Sequence, residues 1–258
     1  MRAFFRYAWL PFYRRWALWY VQRERCYTAS GLKLWVPPGV FHPGIYFSTP
    51  VCISFLQGID FQDKKVLDIG TGTGFLALFA AKKGGIVTAL DINPLAVETS
   101  IRNAKLNDLS LAVLKSDLFD SLPPQPFDFI LINPPYYPRR PHNFSEHAFF
   151  AGENLDYFEK LFGQLPAYLA MQGLNNPANT SVDALRGSYD SVYTSVDALR
   201  GSYDSATYTW LILSEDCNFI KMKEIAAKHG FQLQVVFEKK KWGERFFVAQ
   251  VDTVVARD

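Results

Sequence analysis

The stretch Val66-Leu67-Asp68-Ile69-Gly70-Thr71-Gly72-Thr73-Gly74 decides how the rest of the chain is read. A short apolar run, long enough for one buried strand, ends near an acid. Three glycines at alternate positions then precede a helix-forming segment at 75–83. Glycine between strand and helix lets the backbone turn sharply and approach a ligand without a Cβ in the way. The spacing D-x-G-x-G-x-G differs from the G-x-G-x-x-G of dinucleotide sites, where a pyrophosphate sits on the helix N-terminus. Asp68 suits a cationic ligand group instead.

Working outward, strand and helix patterns alternate. Lys65–Ile69 and Ile86–Asp91 read as strands, with Pro94–Leu106 a helix carrying proline in its first turn. Strands follow at 111–115 and 127–133, a helix at 155–169, a strand at Tyr208–Ser214 and a helix at 218–229. Segments 232–239 and 245–254 read as a closing hairpin around Lys241-Trp242-Gly243. Repeated βα units predict an α/β fold: a mostly parallel seven-stranded sheet with an antiparallel terminal strand and helices on both faces.

Three strands then end in acids. Asp91 closes the second, where a carboxylate accepts both hydroxyls of a ribose, with Ile92 and Asn93 on the same loop. Asp117 ends the third, placed to accept an adenine amino group, while Leu118 or Ile92 sandwiches the ring. Asp91 or Asp117 alone reads equally well as a cap; acids at three successive strand ends read as a site.

Asn133-Pro134-Pro135-Tyr136 follows the fourth strand without a gap. As a bare tetrapeptide it is turn-forming. After the glycine turn it reads as a clamp for a planar nitrogen, whose lone pair is delocalised and poorly nucleophilic. If the Asn133 side-chain oxygen and the Pro134 carbonyl each accept one N–H, the nitrogen becomes more tetrahedral. Proline preorganises those acceptors, and positive charge developing on nitrogen strengthens both bonds. Tyr136 can stack on the planar group, Tyr137 can line the same wall, and Glu146 and Glu153 are candidates for the rim.

Bulk properties narrow the class. Hydrophobic content of 49% with 20% charged residues fits a globular chain. A net charge of +2 lacks the strong basic footprint of dedicated nucleic-acid modules, although Arg139-Arg140 and Lys239-Lys240-Lys241 are short basic runs. Cys26, Cys52 and Cys217 are scattered, with no metal-binding spacing. Sparse, unpaired cysteines suit a reducing, cytoplasmic setting. No apolar run reaches the length of a transmembrane helix.

Residues 1–24 carry five arginines and the stripe Phe5, Trp9, Phe12, Trp16, Trp19, a basic aromatic helix that Pro11 starts or kinks. Its stripe packs on the main domain, or its basic face makes a peripheral contact with a membrane, RNA or ribosome. Residues 25–58 read as a lead-in hairpin, loop and helix. The sequence TSVDALRGSYDS at 180–191 recurs at 194–205. It lies within a polar segment, 174–207, that reads as an inserted surface loop interrupting the domain at 59–254.

VLDIGTGTG, LDINPLAVE, SDLF and FDFILINPPYYP together resemble the class I methyltransferases that use S-adenosylmethionine, and more narrowly the HemK/PrmC group and its small single-domain relatives. The resemblance covers residues 66–254 outside 174–207. It implies S-adenosylmethionine as cofactor, no metal, and a cofactor site of Asp68, Gly70, Thr71, Gly72, Gly74, Asp91, Ile92, Asn93, Asp117, Leu118 and Asn133. It also implies a catalytic Asn133-Pro134-Tyr136 set that methylates a protein glutamine in the translation machinery, or an amine of an RNA or DNA base. A monomer is expected. Two departures from the group are the short lead before the first strand, in place of a helical substrate-docking domain, and the repeat-bearing insertion.

Overall fold

The computed structural model describes residues 16–17, 19–46, 48–173, 207–241 and 243–254. Period-two alternation gives β1 (Arg25–Ala29) and β2 (Leu32–Val36), an antiparallel hairpin turned by Ser30 and Gly31 at positive φ. Helix α1 (Ser48–Leu56) leads into β3 (Lys65–Ile69), α2 (Phe75–Lys82), β4 (Ile86–Asp91), α3 (Pro94–Leu106), β5 (Ala112–Lys115) and β6 (Phe129–Ile132). The chain continues with α4 (Asp156–Gln164), α5 (Pro166–Gly173), β7 (Tyr208–Ser214), α6 (Phe219–Lys228), β8 (Phe231–Lys241) and β9 (Glu244–Thr253).

The main sheet runs β5-β4-β3-β6-β7-β9-β8. β3 is central and pairs in parallel with β4 and β6. β9, the last strand among the described residues, inserts between β7 and β8 antiparallel to both. This is the expected topology, with the order reversing beside β3, where ligands of open α/β sheets bind at the strand C-termini.

The sheet is covered on both faces, so its central strands are continuously apolar rather than alternating. In β6, Phe129 and Leu131 join the core under α1 and α2, with Val66, Phe55 and Trp210. Ile130 and Ile132 face the other core with Phe158, Phe162 and Met222 from α4 and α6. Phe55 meets Trp210 edge-on at 4.9 Å, fixing α1 against the sheet.

The hairpin β1–β2 docks on α3 by side-chain amides. Asn103 accepts from the Trp35 N–H at 2.8 Å and donates to the Trp35 carbonyl at 2.9 Å. One helical turn on, Asn107 does the same with Lys33, at 2.8 and 2.7 Å. Asn103 also donates to the Thr73 carbonyl at 2.9 Å, joining the hairpin to the glycine turn.

One expected helix divides. The segment predicted helical over 155–169 is two helices, because Pro166 has no N–H to continue the ladder and clashes with the preceding turn. The duplicated sequence and most of the N-terminal stripe lie outside the described residues. Trp16 and Trp19 are described, 46% and 49% exposed. Among the described residues no helix is long and apolar enough to cross a membrane.

Candidate active site

The turn after β3 is built from three glycines at positive φ: Gly70 at 74°, Gly72 at 56° and Gly74 at 81°. Gly74 starts α2, and a Cβ there would lie 3.2 Å from Ser100. At Gly70 nothing lies within 4 Å of a Cβ position, leaving that backbone open. Gly70 and Thr71 both donate to the Leu90 carbonyl at 2.9 Å, tying the turn to β4.

Asp68 is 1% exposed and accepts from the Thr71 hydroxyl at 2.7 Å and the Ala77 N–H at 3.2 Å. Burial outweighs those bonds and raises its carboxyl to about 7, with the nearby Asp91 charge adding to the shift. Asp91 accepts from Gly72 at 2.8 Å and from Asn93 N–H at 2.9 Å. Its carboxyl is also raised by burial, against the pull of these backbone donors.

Asn93 caps α3 by accepting the Leu95 N–H at 3.0 Å and donates to the Gly39 carbonyl at 3.1 Å. Both ends of its amide are therefore engaged in holding the loop. Asp117 meets Lys160 at 2.6 Å through Oδ2. Leu118 is 5% exposed at a positive φ of 53° and lines the cleft.

Asp68, Gly70, Thr71, Gly72, Asp91, Ile92, Asn93, Asp117 and Leu118 share one open cleft of about 2200 Å³ with Asn133, Pro134, Pro135 and Tyr136. Gly74 does not line it and packs against Ser100 instead. Tyr136 is half-buried, its hydroxyl hydrogen-bonded with Ser214 at the end of β7 and its ring 4.9 Å from Tyr137. Glu146 does not line the cleft; its carboxylate accepts the His142 N–H at 2.9 Å. Glu153 is exposed and also stands away from the lining.

Some lining residues escaped the sequence reading. Tyr157, on the first turn of α4, faces the cleft, and burial plus the charges of Asp91, Asp117 and Asp68 raise its phenol strongly. Phe41, Tyr46 and Phe149 form an aromatic wall, with Phe41 stacked on Tyr46 at 4.5 Å and Tyr46 at 5.1 Å from Phe149. Ser48 and Thr49 enter from α1. None belongs to a local pattern, and each arrives by tertiary packing.

An exposed glycine turn with carboxylates on one side fits an adenosine ligand bearing a cationic group, with no phosphate to accommodate. The methyltransferase small domain family matches residues 31–154. A Methanocaldococcus jannaschii protein, named provisionally as a protein N5-glutamine methyltransferase, is 36% identical over 152 residues, 56% of this chain and 74% of that one. The ribosomal protein L11 methyltransferase of Colwellia psychrerythraea is 40% identical over 83 residues, 31% of this chain but 28% of that enzyme's length. Among solved structures, the T. thermophilus 16S rRNA N2 methyltransferase RsmC, in complex with AdoMet and guanosine, superposes with a TM-score of 0.53 at 17% identity, covering 88% of this chain and 50% of that one. The chain belongs to the methyltransferase small domain family of class I methyltransferases, in the HemK/PrmC-like group. It is an S-adenosylmethionine-dependent methyltransferase.

Proposed function

We propose that this enzyme methylates a planar nitrogen, the side-chain amide of a glutamine in a protein of the translation machinery, acting as a monomer in the cytoplasm. The observation that carries the reading is Asn133-Pro134-Pro135-Tyr136 at the C-terminal end of β6, in the same cleft as the glycine turn. When bound, S-adenosylmethionine supplies an electrophilic methyl group. Asp68 faces its cationic amino acid end, Asp91 takes the ribose hydroxyls and Asp117 the adenine amino group. Gly70, Thr71 and Gly72 supply close backbone, Gly74 lets α2 start against Ser100, and Ile92 and Leu118 flank the ring. Asn93 acts by fixing the Asp91 loop.

On the acceptor side, the Asn133 side-chain oxygen and the Pro134 carbonyl each accept one N–H of the amide, leaving its lone pair aimed at the methyl group. Tyr136 packs on the amide plane. The nitrogen becomes strongly acidic once alkylated and gives its proton to solvent, so no side chain need act as base.

The charge of the cleft supports protein over nucleic acid. Among the described lining residues six are carboxylates, including Glu215, Asp216 and Glu244, and one is a lysine, Lys240. A phosphodiester chain requires the opposite balance. The name of the M. jannaschii relative points the same way. An exocyclic amine of a flipped RNA or DNA base is the second reading, favoured by the aromatic mouth, where Tyr137 is 39% and Phe144 48% exposed.

Tritiated S-adenosylmethionine added to cell extract with the enzyme separates the two. Label that survives RNase and DNase but not protease is expected. Label that disappears with nuclease would refute the glutamine reading.

A further inference from the structure

We propose that Ser214 is a positioning residue for methyl transfer: from the end of β7 it holds the Tyr136 hydroxyl, and so sets the plane of the ring on which the acceptor nitrogen packs. The inference rests on the reading of Asn133-Pro134-Pro135-Tyr136 as the acceptor clamp, and not on whether the acceptor is a protein or a base.

The need arises from how the clamp is built. Asn133 follows β6 directly, and Pro134 and Pro135 restrict the backbone that carries both amide acceptors. Tyr136 is the first residue beyond them whose φ no ring fixes, and its side chain turns about two further bonds. An aromatic ring that must lie flat on a reacting group has to be held within about 10–20°. Packing against the core of α4 and α6 limits the ring, but Tyr136 also lines the open cleft. Packing alone therefore leaves the cleft side of the ring unsupported.

Ser214 supplies a second attachment. β7 pairs in parallel with β6, Leu211 opposite Ile132, so the end of β7 lies beside the segment that leaves β6. Ser214 is 0% exposed, pairs with Phe246 of β9 and does not line the cleft. Its Oγ accepts the Asp216 N–H at 3.3 Å and is hydrogen-bonded with the Tyr136 hydroxyl. A serine hydroxyl has one proton to donate. With Asp216 on a lone pair, that proton is directed at the Tyr136 oxygen, and the bond lowers the phenol as a donated proton does. The hydroxyl lies on the long axis of the ring. A bond there pins the far end of the axis while the backbone pins the near end. Burial nevertheless keeps the phenol strongly neutral, so the bond is a geometric tie and not a proton path.

The test measures initial rates of tritium transfer from labelled S-adenosylmethionine to cell extract, at rising cofactor and rising extract. Ser214→Ala and Tyr136→Phe each remove one partner of the same bond. Each should lower the maximal rate about fivefold, the equivalent of one neutral hydrogen bond, with half-saturating cofactor unchanged within about twofold. The double variant should also sit about fivefold down, because the bond can be lost only once. Tyr136→Ala, which removes the ring, should lose at least about a hundredfold. Either single variant at the wild-type rate overturns the proposal, and Tyr136→Phe does so without disturbing the interior of β7. A double variant reduced about twenty-five-fold also overturns it, since Ser214 would then act independently of Tyr136. If Tyr136→Ala itself ran at the wild-type rate, the clamp reading would fall, and this proposal with it.

Discussion

The Asp91 carboxylate accepts the backbone N–H of Gly72 at 2.8 Å, so the acid that closes β4 also pins the turn that follows β3. Its other oxygen holds Asn93, and Asn93 caps α3. One side chain thus sets the turn and the loop that flank the cofactor end of the cleft.

Asp91→Ala should weaken S-adenosylmethionine binding by roughly 1–3 kcal/mol, the cost of a lost charged acceptor. It should also lower the melting temperature without ligand, because Gly72 loses its anchor. Calorimetric titration and thermal unfolding measure the two separately. Unchanged affinity would remove Asp91 from the cofactor site.

Asp68 predicts a pH dependence with a definite sign. Its folded carboxyl sits at about 7, well above the ordinary aspartate value of about 4. The folded chain therefore holds a proton that the unfolded chain releases, and Asp68 costs stability progressively as pH rises between those values. A cation bound beside it favours the ionised form, so cofactor affinity should rise over the same window. Asp68→Asn should flatten both slopes between about pH 5.5 and about pH 7.5, read by unfolding and titration. A variant that kept the wild-type slopes would place the titrating group elsewhere.

Asn133→Ala should abolish methyl transfer while S-adenosylhomocysteine affinity stays within about fourfold, since the lost acceptor serves the transition state and not the cofactor. Transfer persisting near the wild-type rate would eliminate the clamp.

The sequence made the sheet legible wherever burial on both faces wrote continuous apolar runs, as in FILI at β6, and wherever a strand ended in an acid. Asp68, Asp91 and Asn133 could be placed because each lies next to its strand. Tyr157, Phe41, Ser48 and Thr49 could not, because they reach the cleft through the packing of α4, the 39–46 loop and α1. The division at Pro166 was misjudged for a related reason: apolar periodicity runs through the break because both helices bury the same side. Asn93, read as a ligand residue, lines the cleft and also holds its loop through both ends of its amide.

Asn103→Ala should destabilise the fold by about 2–3 kcal/mol, since it leaves the buried Thr73 carbonyl and the part-buried backbone groups of Trp35 unpaired. Urea unfolding checks this. Asn107→Ala, whose partners on Lys33 are exposed, should cost less than half as much. Equal losses would show that the link to the glycine turn contributes nothing.

The same two asparagines have a second consequence. Lys33 and Trp35 turn their outward N–H and C=O groups away from β1, which would leave a two-stranded ribbon with one open side. Such a side invites pairing with a strand of another molecule, the first step towards aggregation. Asn103 and Asn107, spaced one helical turn apart, match the two-residue repeat of the strand and occupy those groups as a neighbouring strand would. A helix here closes the β2 edge of the ribbon with side-chain amides, so that edge is shielded from self-association without a third strand.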